Sequence, residues 1–326
     1  MARVYFWGVL CAAWMVVSPL AGAQQAQRPS EWRNATGASG AQAVSEAPPA
    51  DALPPGMASF SPARAPGMRP LASVQIAWTP GESLIQHRLL NTALQGLAPQ
   101  RPGKVDVYVL AVAMWGDNVF ESEASGAADV LSRKYAAQGR TLVLSNGGGT
   151  VANRFPAATP SFFTAALARI GEVMNPEEDL LILFLTSHGN PKDGVGFQVK
   201  DRLMANMMPE HLRDALLLSG VKNRVVIVSA CFSGVFIGPL TDDRTIVLTA
   251  AIADRTSFGC QPERDWTYFG DAFINRSLRA GLGLLPAFDQ ARQTIAAWEA
   301  RDKLPASSPQ VYAGVRARAM IEALER

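Results

Sequence analysis

Cysteine and histidine are scarce in this chain, with three of each among 326 residues. Cys11 lies in an apolar amino-terminal run, which leaves Cys231 and Cys260 in the body of the protein. Two thiols cannot form a disulfide scaffold, so the choices are a catalytic thiol or one isolated bridge. No second ligand pair stands at metal-binding spacing, and neither a metal nor an organic cofactor is expected. Charged residues make up 18% of the sequence, the net charge is +2, and no Lys/Arg run occurs. That pattern does not point to a nucleic-acid partner. Gly147, Gly148, Gly149 and Thr150 lack the lysine of a phosphate loop, and no glycine precedes Ser233 at the offset of a serine nucleophile elbow. No paired carboxylates suggest glycosidase chemistry, and no internal repeat is evident.

What is present begins with an uncharged run from Val4 to Ala23, preceded by Arg3 and ending in Ala21, Gly22, Ala23. This is the form of an export signal with a small-x-small cleavage pattern, so residues 1 to 23 are expected to be removed from a periplasmic or secreted bacterial protein. The alternative is an uncleaved membrane anchor, since the run approaches spanning length. Residues 24 to 70 are rich in Ala, Pro, Gly, Ser and Gln and read as a flexible linker, because they offer too little apolar surface to offset ordering entropy. Residues 71 to 326 can then form one domain with a large core.

Within that domain strand and helix alternate. Strands are expected around Val74 to Trp78, at Val105 to Val112, at Thr141 to Leu144, over the runs ending at His188 and Cys231, at Thr245 to Thr249 and at Gln310 to Ala313. Helices are expected near Gly81 to Leu97, Glu121 to Ala137, Ser161 to Met174, Met208 to Leu218, Tyr268 to Arg279 and Ala287 to Arg301. Such alternation predicts a mostly parallel sheet with helices on both faces. Glu177, Glu178 and Asp179 read as a solvated turn before the third core strand.

Two strand ends carry the chemistry. Leu180 to Leu185 is continuously apolar and is followed by Thr186, Ser187, His188 and Gly189. Val225 to Val228 is followed by Ser229, Ala230, Cys231, Phe232, Ser233 and Gly234. Fully apolar runs suit the centre of a parallel sheet, whose ligands bind at the carboxyl ends of its strands. An imidazole and a thiol meeting there would be a nucleophile with its base. His87 and His211 fall on polar helical positions and read as surface residues, and Cys260 reads as a small buried hydrophobe.

These two motifs, with Thr249, Ala250, Ala251, then Ser257, Phe258, Gly259, Cys260, then Tyr268, Phe269, Gly270, Asp271, resemble the legumain-like family of cysteine peptidases within the wider caspase group. The resemblance spans roughly Val105 to Arg279. It implies a caspase-like three-layer α/β/α sandwich and an endopeptidase in which Cys231 attacks a peptide carbonyl, His188 transfers protons, and water resolves a thioester. It also implies an oxyanion hole from the backbone N–H groups of Gly189 and Cys231, and Asn118 as the residue that orients the histidine.

The substrate pocket departs from the family pattern. Asp271 matches a pocket carboxylate, while Phe120 and Phe232 stand where the family has an Arg and a Glu. One carboxylate without a counter-cation implies tolerance of Asn and preference for Lys or Arg before the scissile bond. The implied partner is a peptide or protein substrate. Transpeptidation on the same site and a catalytically silent binding module are the competing readings, the second opposed by the intact His188 and Cys231.

Overall fold

A computed structural model describes residues 76, 78–147, 154–199 and 202–326. The expected export segment, the linker, most of the first expected strand and most of the Gly147 to Thr150 loop lie outside the described residues. The chain divides into two units, Met1–Ala63 and Arg64–Arg326, and every described residue falls in the second.

Six strands form the central sheet in the order β2-β1-β3-β7-β8-β9. These are β1 (Val107–Ala113), β2 (Thr141–Ser145), β3 (Leu180–Thr186), β7 (Arg224–Ser229), β8 (Thr245–Thr249) and β9 (Gln310–Ala313). All neighbours pair in parallel except β8 with β9. β1, β3, β7 and β8 are buried along their whole length, as their unbroken apolar sequences require. Alternate side chains serve opposite layers. Leu110, Leu183 and Val226 pack with helices α1 (Pro80–Gln95), α3 (Pro160–Val173) and α4 (Pro209–Leu218). Val109, Ile182 and Ile227 pack with α2 (Asn118–Lys134), α7 (Leu284–Arg301) and α8 (Val315–Leu324). The architecture is a three-layer α/β/α sandwich with a mostly parallel central sheet, as the sequence led us to expect.

Helix starts follow local chemistry. The Thr79 hydroxyl accepts the Glu82 N–H at 3.3 Å, Glu82 reaches back to the Thr79 N–H at 2.8 Å, and Pro80 takes the first helical position of α1. Thr159 caps α3 in the same way, accepting from the Phe162 N–H at 3.1 Å.

Some elements differ from the sequence expectation. The stretch after His188 contains a second sheet of three antiparallel strands, β4 (Gly189–Asn190), β5 (Gly194–Val199) and β6 (Leu203–Met207). Among the described residues there, the large buried groups are Val195, Phe197, Leu203 and Met207, and glycine and polar residues interrupt them, so the apolar period is too weak to announce strands. The helix expected over Tyr268 to Arg279 starts as a short α6 (Tyr268–Gly270) and runs on as a π-helix over Asp271–Leu278. Asp179 is also buried instead of solvated. Its carboxylate accepts the N–H groups of Asp106 at 2.8 Å and Asn175 at 2.7 Å, which ties the start of β3 to the start of β1.

Candidate active site

Register sets the level at which His188 and Cys231 stand. In the β3–β7 pairing Thr186 lies opposite Ser229, the last residue of each strand. His188 and Cys231 each follow two residues later, so both emerge at the same level of the sheet's carboxyl edge. The Ser187 N–H donates to the Ser229 carbonyl at 3.2 Å and carries the alignment past the strand ends. A side chain on Gly189 would overlap the Cys231 carbonyl oxygen, so this close approach of the two main chains requires glycine.

The imidazole is held from three sides. Its main chain is clamped by β5, where the Gly196 N–H donates to the His188 carbonyl at 3.1 Å and the Ser187 hydroxyl donates to the Gly196 carbonyl at 2.6 Å. The ring stands edge-on to Trp115 at 4.9 Å and to Phe120 at 5.0 Å between centroids. Asp117 Oδ2 lies 3.5 Å from His188 Nε2.

Asp117 is the amino-terminal flanking residue of α2, and its neighbour Asn118, which the resemblance makes the orienting group, is exposed. The residue placed against the imidazole is therefore Asp117. The motif comparison passed over it by one position. The Trp115, Gly116, Asp117 turn after the first core strand was the available signal.

The thiol sits on a sharp turn. Phe232, directly after it, adopts φ 57°, a left-handed conformation uncommon for a large side chain, and donates its N–H to the Arg255 carbonyl at 2.7 Å. That bond fastens the turn to the loop following β8. The same loop addresses the sulfur: the Ser257 N–H lies 3.3 Å from Cys231 Sγ and the Ser257 hydroxyl 3.7 Å, both donors for the sulfur in its anionic form, while the Ser257 carbonyl lies 3.5 Å away and accepts from the thiol. Ser257 was noted in the sequence only as part of a motif. Its role as the sulfur's partner depends on tertiary contact. Both Cys231 and Cys260 are free thiols. Cys260 packs beside the α2 and α7 layer, where burial above all, and then the proximity of Cys231, pushes its thiol up.

The residues expected to form the substrate pocket are placed differently from one another. Phe120 is fully buried and serves as a wall for the imidazole. Phe232 is partly exposed on the nucleophile turn. Asp271 is not the unpaired carboxylate that the family comparison suggested. Arg276 lies 3.1 Å from its Oδ2, and Asn275 donates to its Oδ1 at 2.7 Å, both from the same π-helix. The counter-cation comes from a position outside the matched motifs.

A carboxyl group that the sequence did not single out binds the last residues of β3 and β7. Glu123, in the second turn of α2, is fully buried and accepts hydroxyl hydrogen bonds from Thr186, from Ser229 at 3.3 Å and from Thr267 at 2.5 Å. Burial pushes its carboxyl up to about 7, against the lowering effect of those three hydroxyls.

The thiol and the imidazole thus stand level at adjacent strand ends of a buried parallel sheet flanked by two helical layers. Residues 164–312 match the model of the Peptidase C13 family, which supports a cysteine-peptidase-type function. Among solved structures, caspase-1 from Spodoptera frugiperda is 12% identical, covering 67% of this chain and 94% of that one with a TM-score of 0.43. The structure of pro-sf-caspase-1 is also 12% identical, covering 66% of this chain and 91% of that one with a TM-score of 0.39. A comparison with curated proteins finds no match.

Proposed function

We propose that the protein hydrolyses peptide bonds, with Cys231 as nucleophile and His188 as the proton-transfer group. The observation that carries this reading is the shared height of the two residues beyond the Thr186 and Ser229 pair, with Gly189 packed directly against the Cys231 main chain. The chemistry needs a thiolate, and Ser257 supplies an N–H donor at 3.3 Å to the sulfur. Attack on a peptide carbonyl forms a C–S bond and a tetrahedral oxyanion. The backbone N–H groups of Gly189 and Cys231 are the donors assigned to it. Collapse breaks the C–N bond and expels the amine with a proton from the imidazolium; water then attacks the thioester, the imidazole takes its proton, and cleavage of the C–S bond releases the acid and regenerates the Cys231 thiolate. Asp117, with Oδ2 3.5 Å from Nε2, orients the imidazole for this cycle.

Export of the mature chain after Ala23 is part of the same proposal, supported by the Ala21, Gly22, Ala23 pattern. Intact mass of protein recovered from the cell envelope tests it, and retention of Arg3 would favour an anchor.

The deciding experiment is labelling of protein lacking residues 1 to 23 with a thiol-reactive peptide probe. Cys231→Ala should abolish labelling, and His188→Ala should slow it by about 10²-fold or more through loss of general acid–base help. Labelling that persists in Cys231→Ala would move the reactive thiol to Cys260 and overturn the assignment.

A further inference from the structure

The Glu123 carboxyl contacts neither reactive side chain, yet its three hydroxyl partners occupy critical positions in the framework that holds them. Thr186 and Ser229 are the terminal residues of β3 and β7 and stand opposite each other in register. Each lies two residues before a member of the dyad. Thr267 is the amino-terminal cap of α6, where its hydroxyl accepts the Gly270 N–H at 3.1 Å and also lies 3.1 Å from the Ser229 hydroxyl. One side chain on α2 therefore joins the ends of both catalytic strands to the start of the π-helical segment. Space for it is made by Gly270, where any side chain would overlap the Glu123 carboxyl. The same helix places Asp117 and Phe120 against His188, two turns or less before Glu123. A fully buried carboxyl is costly, and an apolar residue in this layer would pack without that cost.

We propose that Glu123 is a positioning residue of the peptidase: by binding Thr186, Ser229 and Thr267 together, it sets the spacing between His188 and Cys231. This inference rests on the assignment of that dyad. Hydroxyl bonds to a carboxyl are directional, whereas packing alone would leave the two strand ends free to shift relative to each other. Small displacements matter here, because a misplacement of about 1 Å between reacting groups can cost roughly 10²-fold in rate.

The test is a double-mutant cycle between Glu123 and His188, read by the rate of Cys231 alkylation with iodoacetamide, with thermal unfolding measured on every protein. If Glu123 sets the geometry, His188→Ala should slow alkylation by tens of fold or more in the otherwise native protein but by less than about threefold in a Glu123→Ala background, since the two changes then remove one shared interaction. Glu123→Gln, which keeps an acceptor for the hydroxyls, should restore most of the histidine effect. A merely structural residue would lower the unfolding temperature and leave the histidine factor intact, and that result in folded protein overturns the proposal. Should Glu123→Ala fail to fold, Thr267→Val and Ser229→Ala take its place in the same cycle, with the same pair of outcomes. Failure of the dyad itself is separable, because it would appear as alkylation insensitive to His188→Ala in the otherwise native protein.

Discussion

Gly189 and Cys231 approach so closely that a single added methyl group on the glycine would overlap the carbonyl oxygen of the cysteine. The obstacle is backbone rather than the end of a flexible side chain, so relief must come from moving one of the two strand ends. Gly189→Ala should therefore reduce the rate of Cys231 labelling by about 10-fold to 10²-fold, the range associated with sub-ångström to ångström misplacement. The unfolding temperature should fall by only a few degrees, because the change lies at the edge of the sheet. Labelling at the native rate would show that the carboxyl edge relaxes freely.

Asp117 and Asn118 are adjacent, but only Asp117 faces the imidazole, at 3.5 Å. Both members of the pair are more than one third exposed, with side-chain accessibilities of 38% and 37%, so solvent screens their attraction. Asp117→Ala should lower the labelling rate by roughly twofold to fivefold, the equivalent of up to about 1 kcal/mol for an exposed ion pair. Added salt should narrow the gap between wild type and variant. Asn118→Ala should change the rate by less than this. Rate measurements at two ionic strengths check both statements, and a larger loss in Asn118→Ala would return the orienting role to that residue.

Arg276 neutralises Asp271 from within the same helix. A paired carboxylate has little need of a substrate cation, so Asp271→Asn should leave relative cleavage after Lys, Arg and Asn nearly unchanged. Arg276→Ala should raise cleavage after Lys or Arg, because it creates the uncompensated carboxylate that a cationic side chain would relieve. Profiling a peptide library with the three proteins decides this. A selective loss of cleavage after Lys and Arg in Asp271→Asn would show that Asp271 faces the substrate despite its pairing.

Glu123 has a folded-state carboxyl raised from 4.5 to about 7, chiefly by burial. Between these two values the folded protein holds a proton that the unfolded chain has released, so this group favours folding most below about 4.5. Its contribution is lost as pH rises toward about 7 and levels off above that. The unfolding temperature of the native protein should accordingly fall between pH 5 and pH 8, and Glu123→Gln should flatten that fall. Parallel slopes for the two proteins would show that another group governs stability in this interval.

Much of the fold was legible because fully buried parallel strands are written as unbroken apolar runs. Leu180 to Leu185 and Val225 to Val228 announced themselves in this way. The antiparallel β4, β5 and β6 were not legible, since they are short, pair with one another, and interrupt their few buried apolar positions with glycine and polar residues. The π-helical course after Gly270 was equally hidden, because its apolar pattern satisfies an ordinary helix.

By itself the sequence pointed to the two short motifs, the alternation of strand and helix, and a thiol and an imidazole at two strand ends, all of which follow from local composition and period. Only tertiary structure decided which neighbours complete the site. Asp117 rather than Asn118 reaches His188, Ser257 from the loop after β8 reaches the sulfur, Arg276 claims Asp271, and Glu123 meets hydroxyls from two strands and a helix cap. Each of these depends on strand register and helix rotation, which are set by the packing of the whole core and leave no short-range signal in the chain.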